Sequence, residues 1–423
     1  RYYEETMNAR SLALDILNEV LTEQAYANLS LKQRLSEVKP IDRSLVTQLV
    51  YGTLQNQIYC RNRWKKHVKK EPDALVASLL DMAVYQLMFL DKVPAYAILN
   101  EAQEYLSREH RGSINGLVNA VLRKIADEGN LALVGKDEIE TVALNTSLPQ
   151  WILRMWVSQY GQEKAFAAAK SLITPTLTSV RVNTLLATKE EFLADPNCTL
   201  GTIAPDAIRY TGNFLDSEWF ASGKGTLQDE ASQLVLQLTD AKPGMRVLDL
   251  CAAPGTKTSG LAQLMHNEGS IIALDLHDNR VKLIDEGMEK LDINIVKSHA
   301  CDSRHCDSVL NGEDLFDVVL ADVPCSGLGV LRRKPDIKAR IAPQDLDSLQ
   351  ILQGELLEEA GNWVVKGGIL VYSTCTLNQK ESERQVAKFL ANHDDYRLIE
   401  ERTIFPQDFE TDGFYMAKMQ RNT

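Results

Sequence analysis

From residue 236 onward the chain alternates short apolar runs with amphipathic helical stretches, and this rhythm restricts the fold more than any other feature. Runs at 246–250, 270–274, 293–298, 316–321 and 368–372 have the length and content of buried strands. Between the last two, Leu346, Leu349, Leu352, Leu356 and Ala360 mark one face of a helix. Strands separated by helices pair in parallel, because a parallel pair needs a long crossover connection. The alternation therefore predicts a doubly wound, mostly parallel α/β sheet of the Rossmann-like kind. In such a sheet the residues just past the carboxyl ends of the strands line the ligand crevice.

The segment before this sheet reads differently. Residues 8 to about 130 are helical throughout: Ala13, Ile16, Leu17, Val20 and Leu21 form an amphipathic stripe, and further helices are expected over 42–51, 73–90, 95–107 and 113–126. Pro72 with Asp73, and Ser113 after Gly112, mark helix starts. This is an all-α bundle with short connections. Residues 131–235 are mixed, with a helix opening at Leu148-Pro149-Gln150, a strand over 179–183, and a second helix and strand before Gly223-Lys224-Gly225. The expected organisation is a helical domain over 1–130, a small α+β connector over 131–235 and an α/β domain over 236–423. A chain of 423 residues needs several cores in any case.

The first thirty residues carry Glu4, Glu5, Asp15, Glu19 and Glu23 and no apolar signal core. No run approaches the roughly 18 apolar residues that span a bilayer. Met7 is a candidate natural start, which would make Arg1 to Thr6 an added remnant. Seven cysteines, an odd number without disulfide-domain spacing, fit free thiols in a reducing cytoplasm. The net charge of −12 excludes a broadly basic coat but leaves room for local basic patches. One such patch is Arg61-Asn62-Arg63-Trp64-Lys65-Lys66-His67-Val68-Lys69-Lys70. Arg61, Arg63, Lys65, Lys66, Lys69 and Lys70 are candidate phosphate contacts, with Trp64 packing or stacking on a base; the plainer reading is a solvated helix face.

Chemistry concentrates at the predicted strand ends. The first strand runs into Asp249-Leu250-Cys251-Ala252-Ala253-Pro254-Gly255-Thr256-Lys257-Thr258, where small residues allow close backbone approach to a ligand. This is neither the G-x-G-x-x-G fingerprint of nicotinamide enzymes nor a phosphate-binding G-x-x-x-x-G-K-[ST] loop. A dehydrogenase is disfavoured accordingly. Asp275 ends the second strand, where a carboxylate suits the two hydroxyls of a ribose, and Asp302 near the third could accept from an adenine amino group. Asp322-Val323-Pro324-Cys325 follows the fourth strand and Ser373-Thr374-Cys375 the fifth. A single cysteine is as often packing as chemistry; two at neighbouring strand ends beside an adenosyl-type site favour chemistry. His299, Cys301, Cys306 and His305 crowd together, but their spacing matches no common zinc pattern, so no metal is expected.

These motifs resemble the RNA cytosine-5 methyltransferases that use S-adenosylmethionine. Supporting pieces are Leu227-Gln228-Asp229-Glu230-Ala231-Ser232, Ser326-Gly327, Pro335-Asp336-Ile337 and Asp412-Gly413-Phe414. Gly116-Leu117-Val118-Asn119-Ala120-Val121-Leu122-Arg123 resembles the NusB-like domain of the bacterial Fmu/Sun branch, which methylates 16S ribosomal RNA. The resemblance implies Cys375 as nucleophile, Cys325 in C5 deprotonation or product release, Asp322 on the cytosine edge and Lys257 as a nearby catalytic cation. It implies S-adenosyl-L-methionine held by Cys251, Ala252, Ala253, Pro254, Gly255, Thr256, Lys257, Asp275, Arg280, Asp302 and Asp322. Arg332, Arg333 and Lys334 follow the Pro-Cys loop and could grip phosphates beside the target. Thr256 and Val323 stand where the family often has glycine and alanine. The expected partner is RNA, 16S ribosomal RNA first, with neither membrane nor obligate protein partner. The rivals are the same chemistry on transfer RNA or another RNA, and a non-catalytic RNA-binding assembly factor, for which paired cysteines would be superfluous.

Overall fold

The computed structural model describes residues 7–422; Arg1 to Thr6, the candidate remnant, and Thr423 lie outside the described residues. The chain forms two compact units. One contains residues up to Thr174 together with Leu331–Ile341; the other contains Pro175–Val330 and Ala342 onward.

The first unit is helical. Asn8 caps the helix Ala9–Glu23 by accepting from Arg10 N–H at 2.8 Å, and Asp73 caps Ala74–Phe89 by accepting from Val76 N–H at 3.2 Å. The stripe from Ala13 to Val20 is buried as expected, against Val46, Leu49, Val50 and Leu54 among others. The helix expected over 42–51 is longer, Arg43–Lys65, and carries the first half of the basic run in its last turns. The helix expected to open at Leu148-Pro149-Gln150 is Gln150–Tyr160, and with Glu138–Asn145 and Gln162–Ser171, which were not expected, it belongs to this unit rather than to a connector. Polar anchors help tie that stretch to the bundle: Ser147 Oγ accepts from Tyr59 N–H at 2.8 Å, and Tyr59 Oη donates to the Leu131 carbonyl at 2.8 Å.

The second unit holds both sheets. Strands β1 (Thr178–Val182), β2 (Cys198–Leu200), β3 (Ala207–Tyr210) and β4 (Gly225–Leu227) make a small antiparallel sheet in the order β2-β3-β1-β4. The large sheet contains β5 (Arg246–Asp249), β6 (Ser270–Asp275), β7 (Val296–Ala300), β8 (Phe316–Asp322), β9 (Val364–Thr374), β10 (Tyr396–Ile404) and β11 (Phe414–Arg421), in the order β10-β11-β9-β8-β5-β6-β7. The five strands from β5 to β9 are parallel, and β11 joins β9 antiparallel with β10 outside it.

Alternate residues feed two cores. Val247, Ala273, Val318, Leu320 and Val371 face one side; Leu248, Ile272, Leu274, Val319, Ala321 and Tyr372 face the other. Burial on both faces explains why these strands read as unbroken apolar runs. Strand succession reverses between β5 and β8, with β6 and β7 on one side and β9 on the other. That is the switch point at which an open α/β sheet binds its ligand.

Candidate active site

The loop after β5 passes over the sheet edge on hydrogen bonds that its neighbours supply. Leu250 N–H donates to the Leu320 carbonyl at 2.9 Å, and Ala252 N–H to the Leu274 carbonyl at 2.8 Å. Gly255 then turns the chain into the helix Thr256–Leu264 with φ of +96°, a left-handed value that favours glycine. A Cβ there would also press within 3.2–3.3 Å of Met288 Cε and Ile284 Cα. Beneath the turn, Asp249 is fully buried and accepts from Thr258 Oγ1 at 2.7 Å. Burial, partly offset by that bond, pushes its carboxyl up to about 7. Burial likewise drives the Cys251 thiol well above its ordinary range, reinforced by the neighbouring carboxylates.

Asp275, at the end of β6, accepts from Ala253 N–H at 3.2 Å through Oδ2. Its Oδ1 is buried without a hydrogen-bond donor, 3.4 Å from Arg280 Nε, whose guanidinium also donates to the Ala253 carbonyl at 3.1 Å. Asp249 Oδ1 is a second buried oxygen without a donor. Unfilled acceptors around a glycine turn fit the hydroxyl-rich sugar of an adenosyl cofactor. Asp302 already has a partner. Arg304 occupies both of its oxygens at 2.6–3.1 Å through Nε, Nη2 and its backbone N–H, and holds the carboxyl down to about 2. These three N–H groups leave one of the four lone-pair positions of the carboxylate for an adenine amino group. Among the described residues no group of three or more His, Cys, Asp or Glu side chains could hold a metal ion.

The two cysteine motifs come together because β8 and β9 pair directly, with Asp322 opposite Ser373 in register. Cys325 Sγ and Cys375 Sγ lie 3.2 Å apart. The bond to Cys375, then burial, then the charge of Glu381 raise the Cys325 thiol well above its ordinary range. Asp322 is fixed at both oxygens: Lys257 Nζ donates to Oδ2 at 2.7 Å and Ser373 Oγ to Oδ1 at 2.7 Å. Lys257 also stands 5.2 Å from the centre of the Phe414 ring. Gly413 and Gly329 interlock beside them, Gly413 N–H donating to Gly329 O at 2.8 Å and Gly329 N–H to Cys375 O at 3.0 Å. A Cβ on Gly329 would fall 2.0 Å from the Gly413 carbonyl. This contact gives the Asp412-Gly413-Phe414 motif a place at the site.

Sequence reasoning gave Ser373 and Phe414 no role beyond membership of their motifs, and it passed over Glu381 and Arg181. Arg181, on β1, is buried without a carboxylate in hydrogen-bond reach. It donates to Thr256 O at 2.7 Å, Ser259 Oγ at 2.7 Å and Gln263 at 3.0 Å, and also to Gln228. It thus pins the start of the helix that follows the glycine turn. Its signal was weak, a lone arginine between two valines in a short strand.

Both of the expected basic patches need correction. Trp64 is fully buried with its indole N–H on Asp81 Oδ1 at 2.7 Å, so it offers no face to a base. Arg63 is also 0% exposed, bonded to Tyr59 Oη at 2.8 Å and Gly129 O at 2.8 Å and paired with Glu128. Arg61 pairs with the buried Asp81 at 2.7 Å, Lys65 with Glu71 and Lys66 with Glu128. Lys69 and Lys70 are exposed. Of the second patch, Arg332 is buried in the helical unit and donates to Thr174 Oγ1 at 3.1 Å, Arg333 is half-buried, and Lys334 is exposed. A buried guanidinium that already has its partners cannot grip a phosphate.

A parallel sheet with a glycine turn at its switch point and a helical unit before it defines a Rossmann-like methyltransferase with a NusB-like domain. Residues 235–420 match the model of the 16S rRNA methyltransferase RsmB/F family, and residues 7–127 that of the NusB family. A probable ribosomal RNA small subunit methyltransferase B of Bacillus subtilis is 36% identical over 98% of this chain and 99% of its own. A ribosomal RNA small subunit methyltransferase B of Pseudomonas putida is 31% identical over 98% of each. The crystal structure of the protein PH0851 superposes with a TM-score of 0.82 at 26% identity, covering 98% of this chain and 99% of that one. A methyltransferase homologue from Pyrococcus horikoshii gives 0.60 at 27% identity, over 68% of this chain and 100% of its own. The chain belongs to the RsmB/F family of 16S ribosomal RNA methyltransferases. Among its described residues no helix is long and apolar enough to cross a membrane.

Proposed function

We propose that this chain methylates C5 of a cytosine in 16S ribosomal RNA, with Cys375 adding covalently to C6 of the base. The observation that carries this reading is the thiol pair, 3.2 Å apart at the ends of adjacent strands beside the Lys257–Asp322 pair. C5 of cytosine is a weak nucleophile until a thiolate bonds to C6 and turns the ring into an enamine. S-adenosylmethionine, when bound, supplies an electrophilic methyl group. Asp275, Arg280 and the turn from Cys251 to Thr256 would hold it, with Lys257 and Asp322 nearby.

Each protein group then has a stated task. Cys375 gives its proton to solvent and the thiolate forms the S–C6 bond, while a proton taken up from solvent and shared between Asp322 and cytosine N3 neutralises the charge building on the ring. Lys257 and Ser373 keep the carboxylate of Asp322 in one orientation. After methylation the C5 proton passes to solvent water, the S–C6 electron pair returns to Cys375 Sγ as that bond breaks, and the aromatic ring is restored. Cys325, kept as a thiol by its surroundings, donates to Cys375 Sγ and so stabilises the departing thiolate. Lys69, Lys70 and Lys334 remain as surface cations for phosphate contact.

The test is transfer of a labelled methyl group to deproteinised 16S RNA, with a transfer-RNA pool as the comparison and bisulfite sequencing to locate the product. Label should appear as 5-methylcytidine in 16S RNA, and Cys375→Ser should lower the rate by at least ~10³-fold, with cofactor affinity within about twofold. Undiminished activity of Cys375→Ser, or label on another base, would sink the reading.

A further inference from the structure

Glu381 is 0% exposed and lies beyond the Thr-Cys motif, and its carboxylate collects four donors. Oε1 accepts from Ser326 N–H at 2.9 Å and Gln353 Nε2 at 3.0 Å. Oε2 accepts from Ser326 Oγ at 2.6 Å and Asn378 Nδ2 at 2.9 Å. Four donors match the lone-pair capacity of one carboxylate. The donors come from both cysteine loops: Ser326 adjoins Cys325, and Asn378 follows Cys375 by three residues. Gln353, on the helix Asp345–Asn362, reaches the Pro324 carbonyl with the same amide at 2.9 Å.

A hydroxyl relay crosses between the loops in one direction only. Leu328 N–H donates to Thr376 Oγ1 at 3.2 Å, and Ser326 Oγ donates to Glu381. With both ends committed, Thr376 Oγ1 must donate to Ser326 Oγ at 2.7 Å. Tyr372 Oη donates to the Glu381 carbonyl at 2.6 Å, tying the same residue to β9. Such a fully satisfied buried network specifies one geometry.

We propose that Glu381 is a positioning residue that locks the Pro324-Cys325-Ser326 loop to the loop after Cys375, and so sets the two thiols at reacting distance. The inference rests on the cysteine roles given under Proposed function, but its geometry can be tested apart from them. A glutamine at 381 presents one oxygen and one amide, so whichever way it turns, two donors lose their acceptor. The loops should separate while each remains folded.

The experiment treats the full chain with dibromobimane, which fluoresces when its two arms alkylate neighbouring thiols, with Cys325→Ser as the blank and peptide mapping of the bridge. Glu381→Gln should bridge Cys325 to Cys375 about tenfold more slowly, while single alkylation of Cys375 by iodoacetamide stays within about twofold. In methyl transfer, kcat should fall ~10- to 100-fold with KM for S-adenosylmethionine nearly unchanged, the split expected of misplaced reacting groups. Wild-type bridging and wild-type kcat would overturn the proposal. So would parallel loss of bridging, single alkylation and thermal stability, since that is a merely structural role. If Glu381→Gln does not fold, Ser326→Ala takes its place, and bridging as fast as wild type overturns the proposal. Slowed bridging in a chain that never methylates cytosine would sustain the positioning role and sink the proposed function. Cytosine methylation with unaffected Glu381→Gln would do the reverse.

Discussion

The Arg61–Lys70 segment and the paired cysteine loops both stood out as sequence motifs, and the fold treats them in opposite ways. In the first, charge turns inward: Arg63 is consumed by Tyr59, Gly129 and Glu128, and Trp64 by Asp81. In the second, β8 and β9 deliver thiols and a carboxylate to one edge, and buried groups behind that edge hold them there. A charge run states composition, and its meaning depends on partners far along the chain. A strand-end motif states position, because pairing of the strands fixes where the next residue goes.

The comparison breaks most visibly through Arg63. Replacing it with alanine empties the fully buried space the side chain fills and leaves Tyr59 Oη and the Gly129 carbonyl without their donor, and should lower stability by about 5 kcal/mol, read from the urea midpoint. Unchanged stability with weakened RNA binding would return Arg63 to the surface role. A smaller effect probes the other region. Asp249 titrates near 7 when folded, against 3.8 as its ordinary value. The folded state therefore binds more protons between those values, so this group's contribution is present below about 4 and lost as pH rises through 7. Wild type should lose about 4 kcal/mol relative to Asp249→Asn over that window, measured as denaturation midpoints across pH. A constant difference would mean that Asp249 is not held in a desolvated place.

The smallest effect belongs to the exposed end of the basic run. Lys69→Ala with Lys70→Ala should leave stability within about 0.5 kcal/mol while reducing the salt slope of RNA binding by about 1.5. A destabilised double variant would place these lysines with Arg63 instead.

The contrast also explains what was legible. Parallel strands buried on both faces write continuous apolar runs, so β5, β6, β8 and the second half of β9 could be read directly. Edge strands do not. β7 is Val296–Ala300, starting three residues after the expected Ile293 and running through His299 and Ala300 beyond the expected end at Ser298. β10 was hidden by Arg397, Glu400, Glu401 and Arg402 on an outside strand, and β11 by its return to β9 through an antiparallel pairing. At the site, Cys325, Cys375, Asp322, Lys257 and Asp275 were visible because each sits at or just beyond a strand end. Glu381 and Arg181 were not, since their partners lie 28–55 and 47–82 residues away for their side-chain bonds outside their own loops. The connector boundary failed for the same reason: Ser147 is joined to Tyr59 across 88 residues.

The central claim is that Cys375 bonds to the base and Cys325 helps it leave. The most direct measurement incubates Cys325→Ser with 16S RNA and S-adenosylmethionine, resolves the mixture by denaturing electrophoresis, and maps any slowed band by nuclease and protease digestion with mass spectrometry. A methylated cytidine attached to the peptide containing Cys375 is the expected result. A band mapping to another residue, or none while Cys325→Ser turns over at the wild-type rate, would contradict the account.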